Sequence, residues 1–107
     1  MDRSSVPFAV EVDGEPGLLK LMGELDLATA PVLEASLGDV DGAIELECSE
    51  LTFVDSAGLR LLLAIHATCR GRGAKLTIVN PSRQVTQLLE LTRLDGELDL
   101  RWDGTVP

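Results

Sequence analysis

The chain has 107 residues, 45% of them apolar and 25% charged, enough for one domain that buries roughly two-thirds of its surface and too few for two separate cores. Eighteen acidic against nine basic side chains leave a net charge of −9, which repels nucleic acid and anionic membrane surfaces and leaves proteins as the expected partners. Aromatic residues make up only 3%, too few for the stacking platforms that single-stranded nucleic acids require.

In chain order, Val6, Phe8, Val10 and Val12 alternate as a half-buried strand should, and Asp13-Gly14-Glu15-Pro16-Gly17 supplies a turn. Leu19, Leu21, Gly23 and Leu25 alternate with Lys20, Met22 and Glu24, which completes a hairpin with one wet face. Thr29 is placed to cap a helix whose first turn tolerates Pro31 and whose inner side carries Leu33 and Leu37, with Gly38 to Gly42 ending it. Ile44, Leu46 and Cys48 alternate with Glu45 and Glu47 in a third strand, and Leu51 to Val54 lead to Asp55-Ser56-Ala57-Gly58. A long helix is predicted from about Ala57 to Arg70, terminated by Gly71 and Gly73, with Arg70, Arg72 and Lys75 supplying the charge sign a helix C-terminus favours. Leu76 to Val79 predict a fourth strand and Asn80-Pro81 break it. Ser82 caps a third helix bearing Val85, Leu88, Leu89 and Thr92. Leu98, Leu100 and Trp102 alternate with charged residues in a last strand, where Trp102 is expected to pack at the edge, and the tail after Asp103 is expected to fray.

Two strands followed by three helix–strand units demand crossovers between parallel strands. Charged residues at alternate positions of the second, third and fifth strands argue against a second helical layer, which would desolvate them. The expected fold is therefore α/β with two layers: a mixed, mostly parallel sheet of about five strands, with all helices on one face. A single domain over residues 1–107 is expected, ordered over about 6–102. Cys48 and Cys69 form neither a CxxC pair nor a framework of four or six, which fits a reducing compartment rather than a disulfide scaffold. Met1 to Ser5 is polar and opens no signal peptide, and no run approaches the roughly twenty apolar residues of a membrane span. A soluble cytoplasmic protein is expected.

Only the segment Thr52 to Leu59 looks like neither core nor solvated surface. An Asp-Ser pair at a strand-to-helix junction sets a hydroxyl where backbone N–H groups are unpaired and the helix dipole is positive. Three readings compete for Ser56. It can cap the helix, a duty Asp55 could also take. It can be a catalytic nucleophile, but Val54 stands where a nucleophile elbow needs glycine. The lone histidine, His66, would also lie about 15 Å along the helix, out of reach as a base. The third reading is a phosphoacceptor. On the long helix, Leu59, Leu62, Leu63, His66 and Cys69 make an inward stripe broadened by Leu61 and Ile65. That leaves Ser56, Arg60, Ala64, Ala67 and Gly71 aligned on a nearly uncharged outer side, either a flank rich in helix-forming alanine or a surface that lets a partner backbone approach. His66, Cys69 and Cys48 are too few for a metal centre, so no metal is expected, and buried thiols with a hydrogen-bonded core histidine are the simpler expectation. No phosphate-binding loop of the G-x-x-x-x-G-K-[ST] type exists, and no cofactor is expected.

The segment Leu51-Thr52-Phe53-Val54-Asp55-Ser56-Ala57-Gly58-Leu59 resembles the STAS domain family, and within it the bacterial anti-sigma factor antagonists. Gly23-Glu24-Leu25-Asp26, the glycine-rich end of the long helix, Asn80-Pro81-Ser82 and Leu88 to Asp95 extend the resemblance over nearly the whole chain. Glu47 departs from it, since the family often has aspartate there. The resemblance implies a non-enzymatic binding protein whose serine, Ser56, is phosphorylated by an anti-sigma factor that is also a serine kinase. It implies that the unphosphorylated form captures that factor and frees the sigma factor, that a phosphatase resets the switch, and that the chain is a monomer or weak dimer. Asp26, Asp55, Ser56, Gly58, Arg60, Ala64 and Ala67 would form the partner-binding surface. The alternative is a STAS subunit of a transporter or a multiprotein sensor complex, acting as an unswitched interaction module in which Ser56 is only a cap.

Overall fold

The computed structural model describes residues 8–38 and 40–103; Val6 and the tail beyond Asp103 lie outside them. The described elements are β1 (Ala9–Val12), β2 (Leu18–Leu25), α1 (Ala30–Leu37), β3 (Ile44–Val54), α2 (Ser56–Gly71), β4 (Leu76–Val79), α3 (Arg83–Leu91), a short 3-10 turn (Leu94–Gly96) that the sequence did not signal, and β5 (Asp99–Arg101). The strands lie side by side in sequence order; β1 runs antiparallel to β2, and β2 through β5 are mutually parallel. This is the mixed two-layer α/β architecture expected.

One apolar core lies between the sheet and the helices. Leu19, Leu21 and Leu25 from β2, Leu46 and Leu51 from β3, and Leu76 and Ile78 from β4 meet Leu33 of α1, Leu62, Ile65 and Cys69 of α2, and Val85 and Leu89 of α3. Among the described residues the opposite face of the sheet carries no helix and is strongly charged. There Arg101 forms a two-pronged pair with Glu45 at 3.0 and 2.8 Å, and Lys20 pairs with Glu50 at 2.8 Å. The Glu50 carboxylate holds the Lys20 ammonium above its usual range. The Arg101–Glu45 pair reaches from β5 to β3 across β4, and Thr77 and Val79 of β4 are buried at 8% and 4% exposure.

The third strand is one continuous element of eleven residues, where the sequence pattern suggested a strand and a lead-in. Its buried residues are Ile44, Leu46, Cys48, Leu51 and Val54, so the alternation of two gives way to steps of three. The pairing with β2 explains this: Lys20 opposes Glu47 but Met22 opposes Glu50, and Gly23 opposes Leu51 but Glu24 opposes Phe53. An extra residue in β3 at each point rotates the following side chains back toward the core. Glu47 steadies the first irregularity, its Oε1 accepting from the Ser49 N–H at 3.1 Å and the Ser49 hydroxyl at 2.9 Å.

The helix ends show where short-range chemistry decides. Gly73, at φ 74°, takes the left-handed position after α2; its N–H donates to the Arg70 carbonyl, and the Ala74 N–H donates to Cys69, the paired closure that glycine favours. Ser82 caps α3 as expected, accepting from the Val85 N–H. Thr29 does not cap α1 with its side chain: its hydroxyl lies 2.7 Å from the Glu24 carbonyl and 3.0 Å from Asp26 Oδ1, drawn backward by a stronger local partner. Trp102 falls beyond β5 and is 57% exposed, a correction to the edge-packing role expected for it.

Candidate functional site

The carboxyl ends of β2 and β3 lie side by side, Leu25 opposite Val54, and the chain leaves them as two adjoining loops that enter α1 and α2. Such strand ends are where parallel sheets present binding groups. Asp26 opens the first loop. Its Oδ1 accepts from the N–H groups of Ala28 and Thr29, each at 3.0 Å, folding the loop into a tight Asx-type turn. Asp55 leaves the second strand with extended backbone, and its side chain divides two tasks: Oδ1 accepts from the Gly58 N–H at 2.9 Å, and Oδ2 accepts from the Leu27 N–H at 3.2 Å. The first contact caps α2 and the second ties the two loops together.

The cap therefore belongs to Asp55, and α2 begins at Ser56, one residue before the predicted start. Ser56 occupies the first helical position, is exposed, and has no hydrogen-bond partner for its hydroxyl among the described residues. A hydroxyl presented in this way is open to a modifying enzyme, and a phosphate on it would lie within the field of the helix N-terminus.

Arg60, Ala64, Ala67 and Gly71 continue from Ser56 along α2, all exposed. Gly58 lies on the other side. A Cβ built on it would stand 2.6 Å from the Leu25 carbonyl oxygen and 3.0 Å from Val54 Cγ1, so Gly58 lets α2 close onto the strand ends and presents no surface of its own. The inward stripe is Leu62, Ile65, His66 and Cys69, with Leu59, Leu61 and Leu63 half-buried.

The thiols of Cys48 and Cys69 are free and buried, and burial pushes both up from their ordinary range, the reverse of a reactive cysteine. His66 is only 8% exposed, yet neither ring nitrogen has a hydrogen-bond partner among the described residues; the expectation of a hydrogen-bonded core histidine does not hold among them. Among the described residues no three His, Cys, Asp or Glu side chains are grouped so as to hold a metal ion. No helix among them is long and apolar enough to cross a membrane.

Sequence reasoning missed Leu27. It is 77% exposed while its backbone N–H is pinned by Asp55, so an apolar side chain is held out at the hollow it shares with Ala57 and Arg60. The signal was present as a lone leucine inside the polar loop Asp26 to Thr29.

Comparison with known proteins agrees with this geometry. A family model described as "Mlab, STAS domain" matches residues 8–101. The anti-sigma-B factor antagonist of Bacillus subtilis (strain 168) is 24% identical over 85 residues, covering 77% of this chain and 78% of that protein. The crystal structure of an anti-sigma factor antagonist from Mycobacterium paratuberculosis superposes with a TM-score of 0.77 at 27% identity, covering 92% of this chain and 90% of the other. The anti-sigma factor antagonist SpoIIAA in its unphosphorylated form superposes with a TM-score of 0.69 at 20% identity over 88% of this chain and 87% of its own, a likeness of fold. With 94 consecutive residues, 8–101, under one family model, the chain belongs to the STAS domain family.

Proposed function

We propose that this protein is an anti-sigma factor antagonist switched by phosphorylation of Ser56. Unphosphorylated, it captures an anti-sigma factor that is also a serine kinase and so frees the sigma factor for RNA polymerase. Phosphorylated, it lets go. It works in the cytoplasm as a binding protein, catalyses nothing itself, and is reset by a phosphatase. Asp55 and Asp26 shape the loops around Ser56, Arg60, Ala64 and Ala67 supply contact surface, and Gly58 contributes by seating α2. The relatives named above support the partner class.

The observation that carries the switch is the exposed Ser56, its hydroxyl left without a hydrogen bond among the described residues while Asp55 takes the cap. A phosphate adds roughly 1.5 to 2 negative charges there without removing any contact the fold uses, so its effect falls on the interface. Mass spectrometry of the protein purified from its own cells tests this, with one phosphate on Ser56 expected. Pull-down with the unphosphorylated protein should bring down an anti-sigma factor with a kinase fold. Membrane components in its place would favour the transporter-subunit reading, and loss of capture by a folded Ser56→Ala protein would make the hydroxyl a contact and sink the switch.

A further inference from the structure

We propose that the groove between α1 and α2 seats an amphipathic α-helix carrying acidic side chains at both ends of its apolar stripe. The proposal rests on the partner reading above for the helix's owner, and on the groove alone for its chemistry.

Two hollows adjoin between these helices. One, of about 300 Å³, is lined by Leu27, Pro31 and Ala57; the other, of about 230 Å³, by Leu37, Val40 and Thr68. Both are bounded by Glu34, Leu61 and Ala64, so they form one continuous groove that reaches Ala57 in the first turn of α2. On the α2 wall, Ala57, Leu61, Ala64 and Thr68 recur at steps of four, three and four, the spacing at which one helix meets another. The eight residues of α1 and sixteen of α2 carry three charged side chains, Glu34, Arg60 and Arg70, in a chain that is 25% charged, and depletion of charge marks the centre of an interface. The exposed apolar rim at Leu27 is held by its N–H bond to Asp55.

Charge decides which helix fits. Arg60 stands at one end of the groove and Arg72 at the other, about 18 Å apart along the helix. Arg72 is held in place, its Nη1 donating to the Val40 carbonyl at 2.6 Å. Two cations at the ends of the groove, with Glu34 lining both hollows between them, select acidic side chains at the two ends of an incoming helix and disfavour one at its centre. The chain's net charge of −9 favours the opposite sign, so a preference for acid has to come from the groove itself.

The test uses two labelled 15-residue helical peptides with leucines at i, i+4, i+7 and i+11, one with glutamates flanking the stripe at both ends and the other with lysines in their place. By fluorescence anisotropy the glutamate peptide should bind at least tenfold more tightly, with amide shifts at Leu27, Leu61 and Thr68. Thr68→Trp should abolish binding, Arg60→Glu should weaken it about tenfold, and Leu91→Asp on α3 should leave it unchanged. Equal binding of the two peptides, tighter binding of the lysine peptide, or shifts confined to other elements would overturn the proposal. Peptide binding without capture of any anti-sigma factor would sink the partner reading and leave the groove's chemistry standing. Capture of that factor by Thr68→Trp at parental affinity would overturn the groove as its seat.

Discussion

Ser56 and Asp55 are neighbours with separable duties, and substitution distinguishes them. Asp55→Ala removes the acceptor of the Gly58 N–H and should cost about 0.5–2 kcal/mol, the range for a lost N-cap. Ser56→Ala removes a hydroxyl bonded to nothing described and should cost less than about 0.5 kcal/mol, as exposed substitutions do. Paired thermal melts check both, and equal losses would mean the serine shares the cap. Ser56→Asp should also leave the melt nearly unchanged, because the helix dipole accepts the anion, while partner affinity by calorimetry falls about tenfold, or about 1.4 kcal/mol. His66 offers the opposite case. Its two buried nitrogens lack partners among the described residues, and each such group carries a desolvation cost of about 1–3 kcal/mol. His66→Leu should therefore raise the melting temperature, and a fall would show that the imidazole finds a partner in solution.

At the scale of elements, the joint between α2 and the strand ends is set by one glycine. In Gly58→Ala the new methyl would lie 2.6 Å from a backbone oxygen of β2, which cannot swing aside, so α2 must shift at a cost of about 1–3 kcal/mol, the usual penalty for overpacking. Because Ser56 rides on that helix end, partner capture should weaken more than the stability loss explains. Gly71→Ala provides the contrast: a Cβ there meets nothing within 4 Å, and the gain in helix propensity should stabilise the protein by about 0.5–1 kcal/mol. Denaturant titration of the pair tests whether space or helix identity governs. Asn80 makes a second joint. With φ at 52°, a conformation asparagine tolerates, its amide donates to Glu47 at 2.9 Å and to Asp103 at 3.0 Å, linking β3 to the chain after β5. Asn80→Asp would bring a third carboxylate to the two it now bridges and should unfold at a clearly lower denaturant concentration at neutral pH.

The whole molecule separates its charge. Acidic side chains crowd the helix-free face of the sheet, whereas the outer surfaces of α1 and α2 are small, apolar and sparsely charged. A large partner approaching this protein meets an acidic side that excludes nucleic acid and a helical side that presents little to desolvate. Ala64→Arg and Ala67→Glu, both on exposed positions of α2, should each shift stability by less than about 0.5 kcal/mol and still weaken partner capture, since each introduces a charge that the contact would bury unpaired. Circular dichroism and pull-down together check this. Melting far below the parent would place these alanines in the core, and normal capture would move the contact to the loops holding Asp26 and Asn80 to Ser82.

The amino-acid sequence by itself determined the strands, the helices, the one-sided layering and the Asp55-Ser56 junction. Each is written in short-range terms: alternation in Leu19 to Leu25, a stop at Gly73, charges two apart at Glu45 and Glu47 and at Asp99 and Arg101. The tertiary structure alone decided which of Asp55 and Ser56 caps α2, because both residue types cap well and only the approach of the Leu27 N–H, 28 residues away in sequence, favours the carboxylate with its second oxygen. It also decided the course of β3, where a period of two breaks twice: the register of a parallel pair is set by the partner strand, which no local pattern records. The same holds for Gly58 and for the groove beside α1, which exist only because residues distant in sequence come within contact of one another.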